Sequence, residues 1–194
     1  MVKRSSALCF IAALSCALAS TGCSKKARRT SSLKPAPEFS LKDADGKTVH
    51  LSDYRGKVVL LDFWATWCGP CKMEIPWFID FERQFKDKGF AVVGVSMDED
   101  GWAAINPYIK SMGMNYRVLL GNDDVGSKYG GVESLPTTFL IDRDGGIVRA
   151  EKGVTMKKEE FQHVIQQVID SENVRVPSPP HGGVLAFFNG PNSR

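Results

Sequence analysis

"DFWATWCGPCKMEIP", from Asp62 to Pro76, is the stretch on which the reading of this chain turns. It completes "KVVLLDFW" (57–64), a nearly continuous apolar run of the kind found in strands buried on both faces. Beyond it, Ile75, Phe78, Ile79, Glu82 and Phe85 recur at helical spacing, so a helix is expected from about Gly69 to Lys88. Cys68 and Cys71 therefore fall at a strand-to-helix junction, where unpaired amide N–H groups point outward. Two sulfurs three positions apart could hold a metal, staple a loop or exchange electrons.

A tetrahedral zinc site wants four nitrogen or sulfur ligands. His50, His163 and His181 are scattered and lack ligand spacing, so no metal is expected. A permanent staple is also poor, because a bridge across two residues closes too small a loop to remove much chain entropy. Redox chemistry remains. At the helix start, a Cys68 thiolate is favoured by the cap N–H groups and by the macrodipole. The dipole contributes about 0.3–1 kcal/mol, less than the ~1.4 kcal/mol of one pKa unit. Direct hydrogen bonds, one from the Cys71 N–H, must add to it. Cys71, one turn inward, is expected to be covered and slower, and to resolve a mixed disulfide made by Cys68. Pro70 stiffens the turn without needing an N–H, and Gly69 lets a partner come close.

The remaining cysteines lie near the N-terminus. Lys3 and Arg4 precede the apolar run "ALCFIAALSCALA" (7–19), which is short of the roughly 20 residues a membrane span needs. A basic start, a short apolar centre and small residues after it describe an export signal over residues 1–23. Its end, "ASTGC", resembles a bacterial lipobox, which makes Cys23 a candidate lipidation site; a plain cleaved signal or an uncleaved anchor are the alternatives. Seven cations from Lys3 to Lys34 face no acidic residue, and subtracting them from the formal +3 leaves about −4 for the rest. A nucleic-acid partner has no support in such a domain. The basic segment is suited to touch anionic lipid beside Cys23, a merely solvated linker being the alternative.

At 194 residues, with 43% hydrophobic and 24% charged, the chain suits one soluble domain with appendages. Residues 24–37 read as a basic tether, 38–170 as the domain, and 171–194, rich in proline and glycine, as a tail. Within the domain, Asp45-Gly46 marks a hairpin turn, "FAVVGVSM" (90–97) a second buried strand, and Asp98 to Asp100 caps for a helix ending near Gly113. A strand from Tyr116, a short helix in "DDVGSKYG", the hairpin "TTFLID"/"GIVRAE" and a last helix capped by Thr155 follow. Strands alternating with helices imply a mixed sheet covered on both sides.

"FWATWCGPCKMEIP" resembles the thioredoxin superfamily. The export signal, the hairpin leading into "LSDYRGKVVLLDFWATWC", a Glu three residues past the second Cys, and "SLPTTFLIDRDGGIV" make the chain similar to its membrane-tethered TlpA/ResA/DsbE-like branch over roughly residues 35–170. That resemblance implies an α/β thioredoxin-like three-layer sandwich, with an N-terminal β-hairpin and a central helix-strand insertion from about Asp98 to Leu135. It implies a thiol–disulfide oxidoreductase with no cofactor beyond a Cys68–Cys71 disulfide. Members usually reduce exported thiol proteins, often apocytochrome c before haem attachment, and draw electrons from a DsbD- or CcdA-like membrane protein.

Site residues carry over by position. Asp62 matches a buried acid that takes a proton from Cys71; the branch often has Asn there, so this chain departs toward thioredoxin. Glu74 matches the acidic group of the ResA-like site. Pro136 is implied to be cis, with the Leu135 backbone opposite Cys68 for an extended substrate to pair with. Trp67 is expected at the substrate surface, Trp64 in the core, and Pro76 where the first helix kinks. The bland alternatives are a solvent-facing Asp62, a solvated Glu74 and a trans Pro136. Rival functions are a disulfide-forming oxidant, a peroxiredoxin-like peroxidase suggested by "TWC", and a non-enzymatic binding module.

Overall fold

The apolar run at 58–64 becomes the centre of a seven-stranded sheet. A computed structural model describes residues 33–171. The segments expected to be an export signal, a tether (up to residue 32) and a tail (from 172), and with them Cys23, lie outside the described residues. In chain order the strands are β1 (Ser40–Asp43), β2 (Thr48–His50), β3 (Val58–Trp64), β4 (Phe90–Ser96), β5 (Arg117–Leu120), β6 (Thr137–Ile141) and β7 (Ile147–Lys152). The helices are α1 (Gly69–Phe85), α2 (Trp102–Met112), α3 (Asp123–Lys128) and α4 (Lys158–Asp170).

Strand order across the sheet is β2-β1-β5-β4-β3-β6-β7. β3 runs parallel to β4 and β4 to β5, whereas β6 is antiparallel to β3 and β7 to β6. Every residue of β3 and β4 is buried. Their nearly continuous apolar character follows from helices or loops covering both faces. Alternation along β3 divides the core in two. Val58, Leu60 and Trp64 pack with Ile75, Phe78 and Phe81 of α1 and with Phe161 and Ile165 of α4. Val59, Leu61 and Phe63 face the other way, against Leu51, Val125 of α3 and Tyr129. Each such buried side chain stabilises by about 1.5–3 kcal/mol relative to exposure. The sheet with helices on both faces, and its N-terminal hairpin, is the α/β thioredoxin-like fold.

Several local readings shift. The first helix ends at Phe85 and tightens into a 3₁₀ turn over Lys86–Lys88, closed by Gly89 at φ 77°. α2 is not capped by the acids at 98–100, since Gly101 takes the N-cap without a side-chain bond. Asp98 is turned inward instead. Nor does Thr155 cap the last helix: its hydroxyl donates to Glu151. Lys157 stands at that N-cap, with Glu160 accepting from its N–H at 3.1 Å. The end of the presumed tether also packs on the domain. Pro35 bridges Gly146, Ala36 is buried, and Tyr129 Oη donates to the Pro37 carbonyl at 2.7 Å. The segment between Asp98 and Leu135 holds α2, β5 and α3.

Candidate active site

β3 ends at Trp64, and a short turn carries the chain to Cys68, the N-cap of α1. Gly69 and Pro70 occupy the first helical positions, where a missing N–H leaves nothing unpaired. Cys68 and Cys71 are joined, with S–S 1.98 Å and Cα atoms 5.3 Å apart. The Cys71 N–H points at Cys68 Sγ from 3.2 Å, the bond expected to favour a thiolate there. Cys68 is 4% exposed and Cys71 1%, so both sulfurs are covered. Cys68 nevertheless opens onto a groove bounded by Trp67, Gly69, Pro70, Met97, Val132 and Leu135. Trp67 is 69% exposed at its rim, whereas Trp64 is fully buried. The Leu135–Pro136 bond is cis. Pro76 lies within α1, where it removes the N–H that Lys72 O would accept.

The turn before Cys68 is held from below. Asp98 Oδ2 accepts from the Thr66 N–H at 3.0 Å and Oδ1 from Thr66 Oγ1 at 2.6 Å. Ser96 Oγ donates to Asp98 at 2.6 Å. The acid read as a helix cap thus ties the end of β4 to the residues just ahead of the cysteine.

Behind Cys71 lies an acidic row. Strand register aligns Gly94, Asp62, Thr138 and Glu151 across β4, β3, β6 and β7. Directly paired residues project to one face of a sheet. Asp62 is two residues from both Leu60 and Trp64 and shares their face, whose core is the one that contains Cys68 and Cys71, so it faces α1. It is 1% exposed, and Thr138 Oγ1 donates to it at 3.3 Å. Burial, and then the neighbouring Glu74 carboxylate, hold the Asp62 carboxyl well above the usual range. Glu74 drops from α1 and is 5% exposed, with Oε2 lacking a hydrogen-bond partner among the described residues. Burial, and next the Glu151 charge, push it up to about 7. A carboxyl at that value can take or give a proton near neutrality.

A Cβ on Gly94 would come within 2.8 Å of Trp64 Nε1 and 3.2 Å of the Tyr116 ring. The glycine thus makes room for both rings beside Asp62. Trp64 Nε1, Tyr108 Oη and Tyr116 Oη join Glu74 Oε2 as buried polar atoms without a partner among the described residues.

The structure therefore brings together Cys68, Trp67, Gly69, Pro70 and Leu135 around one groove, with Cys71 joined to Cys68 beneath it, Pro136 next to Leu135 through the cis bond, and Asp62 and Glu74 in the layer behind. Sequence reasoning missed Glu151, Thr138 and Asp98. Register could have found the first two, since counting back through the "RDG" turn sets Glu151 opposite Thr138 and Thr138 opposite Asp62. Nothing in the sequence pointed Asp98 inward.

A joined Cys-x-x-Cys pair on the first turn of a helix, in this sheet, defines a thiol–disulfide oxidoreductase of thioredoxin-like fold. The chain belongs to the AhpC/TSA family, whose model matches residues 33–150. It is 42% identical over 118 residues to the thiol-disulfide oxidoreductase ResA of Bacillus subtilis, a match covering 61% of this chain and 65% of that protein. It is 35% identical over 135 residues to ResA of Bacillus thuringiensis subsp. konkukian, covering 70% and 77%. Among solved structures, a thioredoxin-family thiol:disulfide interchange protein from Chlorobium tepidum matches with TM-score 0.65 at 28% identity, over 72% of this chain and 98% of that one.

Proposed function

We propose that this protein is an extracytoplasmic disulfide reductase, held at the membrane through its N-terminal segment. The reading rests foremost on the Cys68–Cys71 disulfide at the α1 N-terminus, open on the Cys68 side and backed by buried acids on the other. In the reduced protein the Cys68 thiolate attacks a partner's disulfide. A mixed disulfide forms, and the partner's second sulfur leaves as thiolate, to be protonated from water. Cys71 then yields its proton to Glu74 or Asp62 and attacks Cys68 Sγ. The partner's other sulfur leaves Cys68 as a thiolate and takes a proton from water, so the partner departs as a dithiol, and the Cys68–Cys71 bond carries the two electrons' worth of oxidation.

Trp67, Gly69, Pro70, Leu135 and Pro136 form the surface for the partner, an extended segment pairing along the Leu135 backbone. Support for location comes from Lys3, Arg4, the apolar run 7–19 and Cys23, a candidate for lipid attachment. Exported thiol proteins, apocytochrome c among them, are the partners, and a DsbD- or CcdA-like membrane protein re-reduces the pair. Gly-Pro between the cysteines supports electron donation rather than oxidation.

Cys71→Ser tests this, since it removes the resolving sulfur. Expressed in cells, the variant should carry exported cysteine proteins disulfide-bonded to Cys68, released by reductant and absent from Cys68→Ser/Cys71→Ser. No trapped protein, with a Cys68 that still reacts with iodoacetamide, would refute the protein-substrate reading.

A further inference from the structure

The groove over Cys68 carries one charge that the redox steps leave unused. Its wall is apolar, with Trp67, Met97, Val132 and Leu135, except at Glu133. Glu133 is exposed. The ion pairs of the described residues, Arg83–Asp80, Arg117–Asp43, Lys128–Asp124, Arg149–Glu151 and Lys158–Asp80, leave it out.

Its backbone is fixed. Gly130 and Gly131, at φ 91° and 70°, turn the chain sharply after Tyr129 in a left-handed conformation that suits glycine. Gly131 N–H donates to Gly126 O at 3.0 Å, and Glu133 N–H to Gly131 O at 2.9 Å. Glu133 Oε1 lies 3.8 Å from where a Cβ on Gly131 would sit, which places the carboxylate beside the loop that borders the groove. Among the described residues, no cation lines the groove. Met97, on the facing loop, is followed within three residues by the exposed Glu99 and Asp100. Across residues 33–171, 17 Lys and Arg stand against 21 Asp and Glu, so the wider field has the same sign. A segment with its cysteine opposite Cys68 must lay its neighbouring side chains along this wall.

We propose that Glu133 selects the partner: the groove takes an extended disulfide-bearing segment with Lys or Arg close to the attacked cysteine, and disfavours one with Asp or Glu there. The inference rests on the reductase reading and adds the charge of the substrate. Glu133 acts on recognition, with no part in the bond exchange.

Two synthetic peptide disulfides that differ only in Lys or Glu beside the cysteine test it. Each is reduced by the full chain, as wild type, Glu133→Gln and Glu133→Lys, and second-order rates are measured at low salt and at about 0.5 M salt. Wild type should reduce the Lys peptide about fivefold faster at low salt, as befits one exposed charge pair. Glu133→Gln should shrink the ratio, Glu133→Lys invert it, and high salt bring all three toward one. Both peptides reduced, with the same ratio in wild type and Glu133→Lys, overturns the inference alone, as does a wild-type preference for the Glu peptide. Failure of wild type with either peptide overturns the reductase reading as well.

Discussion

Replacing Glu74 by Gln removes one titratable proton and changes the buried shape very little. The Glu74 carboxyl sits at about 7 instead of 4.5, first because it is buried and then because Glu151 is negative. In an unfolded chain it titrates near 4.3. Between those values the folded protein holds a proton that the unfolded chain has lost. Glu74 therefore makes no demand on stability in acid and weakens the fold progressively as pH rises from about 4.5 to about 7. At about 1.4 kcal/mol per pKa unit, the full cost above pH 7 is about 3.5 kcal/mol. Gln escapes it. Thermal unfolding of the oxidised full chain by circular dichroism should find wild type and Glu74→Gln alike near about pH 4. At about pH 8 the variant should be more stable by about 3.5 kcal/mol, some 9–14 °C in Tm for a domain of this size. Asp62 is raised in both proteins, so its own effect largely cancels. A Tm difference independent of pH would refute the claim that Glu74 is buried as a neutral acid. The same variant should lengthen the life of mixed disulfides on Cys68 by about 10²-fold if Glu74 receives the Cys71 proton.

Two further outcomes follow from the neighbours of the site. Asp98→Ala leaves Thr66 and Ser96 without their acceptor and should cost about 2–4 kcal/mol in urea unfolding; a loss below about 0.5 kcal/mol would mean the Thr66 turn is held by other contacts. Glu151→Gln removes the second cause of the Glu74 rise, so the loss of stability should begin at the same pH but level off at a lower pH and reach a smaller total, read from the same Tm-against-pH curve; an unchanged curve would show that burial acts alone.

The parts legible in the sequence were those that depend on near neighbours along the chain. The apolar run 57–64 announced β3 because both its faces are covered. The spacing from Ile75 to Phe85 announced α1, and Asp45-Gly46 the first hairpin. Cys68 could be set at a helix N-terminus because the strand and the helix period meet there. Asp62 stood out as a lone carboxylate in an apolar strand, and it is buried. What escaped depends on long-range pairing. Asp98 looks like any first-turn cap until the end of β4 brings it under Thr66, 32 residues away. Glu151 becomes a partner of Glu74 only when β7 aligns on β6. Thr155 has the chemistry of a cap, but Glu151 takes its hydroxyl. Glu133 is an ordinary surface acid until the loop after α3 bends it to the groove.

The direction of electron flow is best tested by the reduction potential of the Cys68–Cys71 pair, obtained by equilibrating the full chain with dithiothreitol buffers and quantifying free thiols. A donor of electrons should lie near the thioredoxin value of about −270 mV, so that the joined cysteines are the favoured state. A potential near the about −120 mV of a strong disulfide oxidant would contradict the reductase assignment.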